Sequence, residues 1–285
     1  MKTIIFPSSY FDINKVDEDL QEEYEAAAST GLFDILIFGY DKWFNDGILK
    51  LNKKVDFATK AVYRGWMMKP EQYEKFYFDL SDNNIKLITE PDSYKLMHIF
   101  TNVYKEFGDD TAYMETYKLH DTIDVETLKS RFNRFMVKDY VKSVKGTEFP
   151  RYFDQSIAQD VFDRDMELFY KYRGELLTVG ICIKEFFDLK MYGSKTNEYR
   201  VFYINHDAAT LSRNSNQGNF TPLPPQDLIE KYKNLNSPYY TVDYAELEDG
   251  TWKVLEAGDG SVSGLSPNQD YENYYRALYQ CLKDL

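Results

Sequence analysis

Lys138, Lys142 and Lys145 put three lysines within eight residues of a chain whose formal charge is −13. They lie in and just after the apolar run Phe135-Met136-Val137, and lysines leaving a strand end into a loop can bring point charges to phosphates. A solvated basic turn would look the same from this stretch alone. Lys142 and Lys145 can share one side of a turn, whereas Lys138 sits inside the run and needs an anionic partner if it points inward. A second concentration is acidic: Asp243 stands among Tyr240, Val242 and Tyr244, Glu256 ends a later apolar run, and Asp259 follows between Gly258 and Gly260. Antiparallel pairing of the two runs brings carboxylates together at one end, where they repel unless a hard cation such as Mg²⁺ neutralises them. The glycines on either side of Asp259 allow close backbone approach to a ligand. Turn acids beside solvent are the plainer alternative.

Glu185 follows the apolar run 179–183, and Glu198 and Arg200 flank Tyr199. Taken singly, such residues are more often members of surface ion pairs. Arg64, beside Gly65 and Trp66, can capture a substrate carboxylate or phosphate, or stack on Trp66 as a structural cation. His98, His120 and His206 lie far apart with no ligand spacing, which argues against zinc. The sequence has no Gly-x-x-x-x-Gly-Lys-Ser/Thr loop, no Gly-x-Gly-x-x-Gly turn and no Gly-x-Ser-x-Gly elbow.

The elements that must position these residues follow from periodicity. Residues 3–6, 33–38, 60–63 and 85–89 read as strands, with helices over 16–29 and, opened by Pro70, over 70–80. This is a small α/β layer, and the stripe Tyr73, Phe76, Tyr77 and Leu80 is expected to pack in its core. Beyond Asp109, helices are expected over 121–132 and 160–172, and strands over 135–141, 177–186 and 199–204. A hairpin pairs 239–247 with 251–256 through Glu248-Asp249-Gly250, and a Tyr-rich helix over 273–285 closes the chain. Residues 212–225, rich in Asn, Ser, Gly and Pro, read as a loop and are expected to cover the substrate side of the site. Lobe boundaries fall near 95 and 150: an N-terminal lobe over 1–95, then a domain over 96–285.

Composition bounds the partners. With 43% hydrophobic and 17% aromatic residues in 285, the chain has ample material for a core. An excess of 47 acidic over 34 basic residues argues against an extended nucleic-acid or anionic-membrane surface. Cys182 and Cys281 provide neither a disulfide framework nor a metal site, and no run reaches the length of a membrane span, so a cytoplasmic protein is expected.

In order, Tyr63-Arg64-Gly65-Trp66-Met67, Val137-Lys138-Asp139-Tyr140-Val141-Lys142-Ser143, Lys184-Glu185-Phe186-Phe187-Asp188-Leu189, Glu198-Tyr199-Arg200-Val201-Phe202, Val242-Asp243-Tyr244-Ala245 and residues 255–265 resemble the ATP-grasp superfamily. More narrowly they resemble its R-2-K clade of bacterial and phage proteins. The blocks span 63–265, most of the chain. The resemblance implies an α+β, ATP-grasp fold, in which an N-terminal small α/β lobe precedes two α+β lobes that clasp ATP.

It also implies roles. Lys138 would reach ATP phosphate or the adenine edge; Glu185 and the backbone around Phe186 and Phe187 would read the adenine, and Asp188 would face the ribose. Arg200 would hold the terminal phosphate, Asp243, Glu256 and Asp259 would hold Mg²⁺, and Arg64 is the candidate substrate contact. Lys142 and Lys145 would compensate for the absence of a long glycine-rich phosphate loop, with Lys142 and Arg200 as catalytic cations. The superfamily ordinarily carries an Asn two residues after the metal-binding Glu, and here that position is Gly258. The implied activity is an ATP-dependent ligase joining a carboxylate to an amine or other nucleophile through an acyl phosphate, releasing ADP and phosphate. A kinase-like phosphotransferase and a nucleotide-binding module without catalysis are the alternatives.

Overall fold

The computed structural model describes residues 2–141, 144, 146–214 and 221–283. Three four-stranded sheets carry the architecture. The first joins β1 (Lys2–Pro7), β2 (Phe33–Phe38), β3 (Thr59–Tyr63) and β4 (Ile85–Leu87) in the order β2-β1-β3-β4, with every pair parallel. β1 is buried from Thr3 to Pro7, the near-continuous apolar pattern of a parallel strand covered on both faces. One face packs on the helix Pro70–Ser81, whose Tyr73, Phe76, Tyr77 and Leu80 are all buried as their spacing requires. Pro70 opens this helix, and the Gln72 side chain accepts the Lys69 N–H at 3.0 Å.

The second sheet has β5 (Met114–Lys118), β6 (Arg134–Asp139), β7 (Phe153–Asp154) and β8 (Gly180–Glu185) in the order β5-β8-β6-β7, all antiparallel. The helices Val125–Arg131 and Gln159–Arg173 close one face through Leu128, Phe162, Met166 and Phe169. This leaves the other face, with Lys138 and Lys184, turned toward the rest of the molecule. A short ribbon of β9 (Met191–Tyr192) and β10 (Lys195–Thr196) leads to the third sheet. There β11 (Glu198–Ile204), β12 (Asp207–Arg213), β13 (Tyr239–Glu246) and β14 (Trp252–Asp259) lie in the order β12-β11-β13-β14. The expected hairpin is β13–β14, turned at Gly250 with φ +87°, and Asp249 accepts the Thr251 N–H at 2.9 Å.

The first and third sheets share a core in which Ile4, Phe6 and Val62 meet Phe202, Ile204 and Tyr239, and Tyr274 and Tyr275 come from the helix Tyr271–Cys281. Such rings bury roughly 150–250 Å² each, so the closing helix joins the N-terminal sheet to the third sheet.

Several expectations are corrected in extent. The helix expected over 16–29 is a 3₁₀ turn, Glu18–Leu20, followed by Gln21–Ser29. The helix expected over 121–132 is only Val125–Arg131, because Asp124 accepts the Thr127 N–H at 2.8 Å and sets the start. The strands β5 and β12 and the helices Tyr40–Asp46 and Pro91–His98 carried no recognised signal. The loop expected from residue 212 starts later, since β12 runs through Arg213. Residues 215–220 of the expected cover lie outside the described residues.

Candidate active site

Register places the charged side chains. In the antiparallel pair β6–β8, Lys138 lies opposite Cys182 and Lys184 opposite Met136, so the two lysines occupy the same face one step apart. Both are buried, at 5% and 6% exposure. Across the third sheet, Arg200 on β11 is the partner of Asp243 on β13, and Asp243 that of Glu256 on β14. A row of cation, carboxylate, carboxylate therefore faces the two lysines.

Lys138 Nζ donates to Glu256 Oε1 at 2.6 Å, while Lys184 Nζ donates to the Leu255 carbonyl. Both ammonium groups sit over the Phe100 ring, at 5.6 and 4.5 Å from its centroid. Arg200 grips Asp243 with two bonds, Nε to Oδ1 at 2.8 Å and Nη2 to Oδ2 at 2.7 Å, and its Nη1 reaches the Gly264 carbonyl at 2.9 Å. The fork geometry fixes the guanidinium plane.

The electrostatics are uneven. Burial works against an ionised Glu256, but Lys138, Lys184 and Arg200 outweigh it and hold the carboxyl down to about 2. Burial also opposes the charge on Lys138, yet Glu256 raises its pKa above the usual value. For Lys184, burial and then repulsion from Lys138 bring the ammonium down to about 8, with Glu256 only partly offsetting them. Three cations share two carboxylates in this cluster, which leaves a place for an anion.

Asp259 does not join the row. On β14 it pairs with Tyr240, on the face opposite to Glu256, and it is fully buried. Its Oδ1 accepts the Ser261 N–H at 2.8 Å, while Oδ2 is buried with no hydrogen-bond partner. Burial pushes its carboxyl up to about 7 despite the Ser261 bonds. Among the described residues no three His, Cys, Asp or Glu side chains converge to hold a metal. The expected Asp243–Glu256–Asp259 triad is thus corrected to a co-facial pair, because the strand alternation that brings Glu256 to the cleft turns Asp259 away. Nor does Gly260 leave room for a ligand, since a Cβ there would lie 2.5 Å from the Tyr239 ring.

Arg64 is corrected as well. It is 2% exposed; its Nε and Nη2 bind the Glu23 carboxylate at 2.8–3.0 Å, and its Nη1 reaches Tyr239 Oη at 3.3 Å, the Gly260 carbonyl and the Ser263 carbonyl at 2.9 Å. The carboxylate it captures is the protein's own. It lies near the rings of Phe202 and Tyr274 rather than Trp66, whose Nε1 donates to Asp17.

At the far end of β8, Glu185 accepts the Tyr113 N–H at 3.1 Å. Phe186 packs at a tilt against Tyr152, and the Arg134 guanidinium lies 4.3 Å from the Tyr152 centroid and 4.7 Å from that of Phe186 while bonding Asp188. Phe187 is half-buried beside them. Lys142 and Lys145 lie outside the described residues. Just before them Asp139, fully buried, holds the Val141 N–H at 2.8 Å and Arg173 at 2.6 Å.

Lys184 had no role assigned from sequence, although it opens one of the blocks quoted above. The available signal was its alternation with Cys182 in an apolar strand, which puts both on one face. Only the register with β6 reveals that this is also the face of Lys138.

Searching curated proteins by sequence finds no match. Among solved structures the chain resembles the D-cycloserine synthetase DcsG, with TM-score 0.61 and 12% identity over 99% of this chain and 100% of that one. It also resembles the D-alanine-D-alanine ligase from Coxiella burnetii, with TM-score 0.60 and 10% identity over 100% and 96%. A third is the macrocyclase MdnC bound with precursor peptide MdnA from Microcystis aeruginosa, with TM-score 0.57 and 12% identity over 96% and 98%. At such identities the likeness is one of fold, the α+β ATP-grasp fold. Residues 115–278 match the ATP-grasp domain of R2K clade family 3, and with more than half of its length inside that match the chain belongs to this ATP-grasp family.

Proposed function

We propose that the chain is an ADP-forming, ATP-dependent ligase that activates a carboxylate as an acyl phosphate for attack by an amine or another nucleophile. The observation that carries this reading is the pair of buried lysines, Lys138 and Lys184, on one sheet face opposite the Asp243–Glu256 pair, with Lys138 alone of the two bonded to one of these carboxylates. A buried ammonium needs an anion, and a polyphosphate is the anion that this spacing suits.

The donor set also fits a magnesium ion, which proteins commonly hold by one or two carboxylates with phosphate oxygens completing the shell. Asp243 and Glu256, co-facial cross-strand neighbours, would hold it. Bound Mg·ATP would supply the γ-phosphoryl group and spread its developing charge. Lys138 and Lys184 would bind phosphate oxygens, with Lys138 exchanging Glu256 for phosphate. Arg200, fixed by Asp243, would hold the terminal phosphate without reorganising. At the other end, Glu185 and the main chain of Phe186 and Phe187 would read the base and Asp188 the ribose, on a floor kept in place by Arg134. Lys142 and Lys145 are proposed as further phosphate contacts. The site needs no protein nucleophile.

Thermal unfolding tests this directly. With Mg·ATP at 100 times its Kd the protein gains about 2.7 kcal/mol, and ADP beyond a single turnover appears only when a carboxylate and a nucleophile are both supplied. A folded, nucleotide-free sample that shows no shift with millimolar Mg·ATP sinks the proposal.

A pH dependence follows from Lys184. It carries charge below pH about 8 and loses it above, so nucleotide affinity falls as pH rises through that value. In the ligand-free protein the unfolded chain keeps this proton up to its ordinary 10.5, so between 8 and 10.5 the unfolded state binds more protons. In that window this group makes stability rise with pH, while affinity falls. Titration calorimetry from pH 7 to 10 checks the affinity arm, and Lys184→Met should flatten it.

A further inference from the structure

Beside the cluster lies a cavity of about 790 Å³ that the ATP reading leaves unused. Its volume falls in the range of substrate pockets, and it opens to solvent. Four consecutive residues of β12, Thr210, Leu211, Ser212 and Arg213, line one side, and Gln269 and Asn273 line another. Two of its polar atoms are buried without a hydrogen-bond partner, Ser212 Oγ and Gln269 Oε1. Ser212 is 8% exposed, and such groups cost free energy unless a ligand or water satisfies them. Ser212 is also the register partner of Arg200, so the cavity begins one strand away from the Arg200–Asp243 pair.

The wall made by β12 narrows the chemistry. β12 is the edge strand of its sheet. The Asn214 N–H donates to the Glu198 carbonyl, and by antiparallel alternation the Arg200/Ser212 pair is then hydrogen-bonded, whereas Leu211 and Arg213 direct their main-chain groups away from β11. The Arg213 carbonyl, on that outer side, accepts from Ser266 Oγ. The Leu211 N–H and C=O point the same way. The outward N–H and C=O of Leu211 can pair together with one residue of an extended peptide backbone, the way an edge strand takes up a further strand. The orphaned Gln269 oxygen, an acceptor, asks for a donor, which an extended peptide supplies as an amide N–H.

We propose that this cavity seats an oligopeptide substrate, laid along the outer edge of β12 with one of its amide N–H groups on Gln269 Oε1 and its reacting group toward Arg200. The inference rests on the ligase reading and specifies its substrate class.

Affinity selection separates the two. A random hexapeptide library, a pool of free amino acids and a pool of monosaccharides are each incubated with the full chain, Mg²⁺ and a non-hydrolysable ATP analogue, and retained molecules are identified by mass spectrometry. Hexapeptides are expected on the wild type and at least tenfold fewer on Gln269→Leu, on Ser212→Ala, and on Leu211→Pro, which removes the outward N–H at a place where edge strands tolerate proline. Because Gln269→Leu leaves the backbone untouched, it decides the matter should the proline variant fail to fold. Retention of amino acids or sugars in place of peptides overturns the inference, as does equal peptide retention by Gln269→Leu and wild type. Calorimetry with the analogue runs in parallel: analogue bound with no peptide retained removes the peptide inference alone, whereas no analogue binding removes the ligase reading.

Discussion

Glu256→Gln is expected to lower ATP-dependent phosphate release by about 10²–10³-fold while leaving the protein folded and able to bind nucleotide. The magnitude is that of removing one preorganised charge from a phosphoryl-transfer site, where stabilisation is worth most as charge develops in the transition state. The direction of the binding effect follows from the ion pair. Glu256 Oε1 holds Lys138 Nζ at 2.6 Å, so phosphate and Glu256 compete for one ammonium. Glutamine releases that ammonium, and Mg²⁺-free nucleotide should bind as tightly as in the wild type or more tightly, even as turnover collapses. Lys138→Ala should do the reverse and weaken binding first. Titration calorimetry without metal and a phosphate-release assay with metal distinguish the two. Wild-type turnover in Glu256→Gln would take Glu256 out of the site altogether.

What could be read in advance divides along a physical line. The runs Ile4–Phe6 of β1 and Ile35–Phe38 of β2 are continuously apolar, and the β13–β14 turn announces itself through Asp249 and Gly250, so these were legible. β5 and β12 were not, because Glu115, Tyr117, Thr210 and Ser212 alternate polarity weakly and pairing alone makes those segments strands. At the site, types and order were readable, but face was not. Asp259 stands three residues from Glu256, an odd spacing that turns the two to opposite faces because β14 runs on through Asp259 instead of ending at Glu256. Lys184 shows the converse, a site residue visible only once β6 and β8 are paired.

Arg64 shows the same limit at greater range, since its partner Glu23 is 41 residues away, and its loss is expected to cost the fold heavily. Arg64→Leu strands the Glu23 carboxylate in the core with only Tyr275 Oη, at 2.8 Å, still bonded to it. Removing one partner of a buried pair costs about 3–5 kcal/mol, because the remaining charge keeps its desolvation penalty. For a chain of this length that lowers Tm on the order of 10 °C. The Arg64 guanidinium also ties β3 to the segment after β14 through the Gly260 and Ser263 carbonyls, which adds to the loss. Glu23→Leu with Arg64→Leu removes both charges, and much of the stability should return, as it does when buried ion pairs are exchanged for apolar groups of similar volume. Calorimetric unfolding of the two single variants and the double variant measures this coupling. If Arg64→Leu melts with the wild type and instead raises KM for a substrate, Arg64 is a ligand-binding residue after all and the first and third sheets are held together by their shared aromatic core.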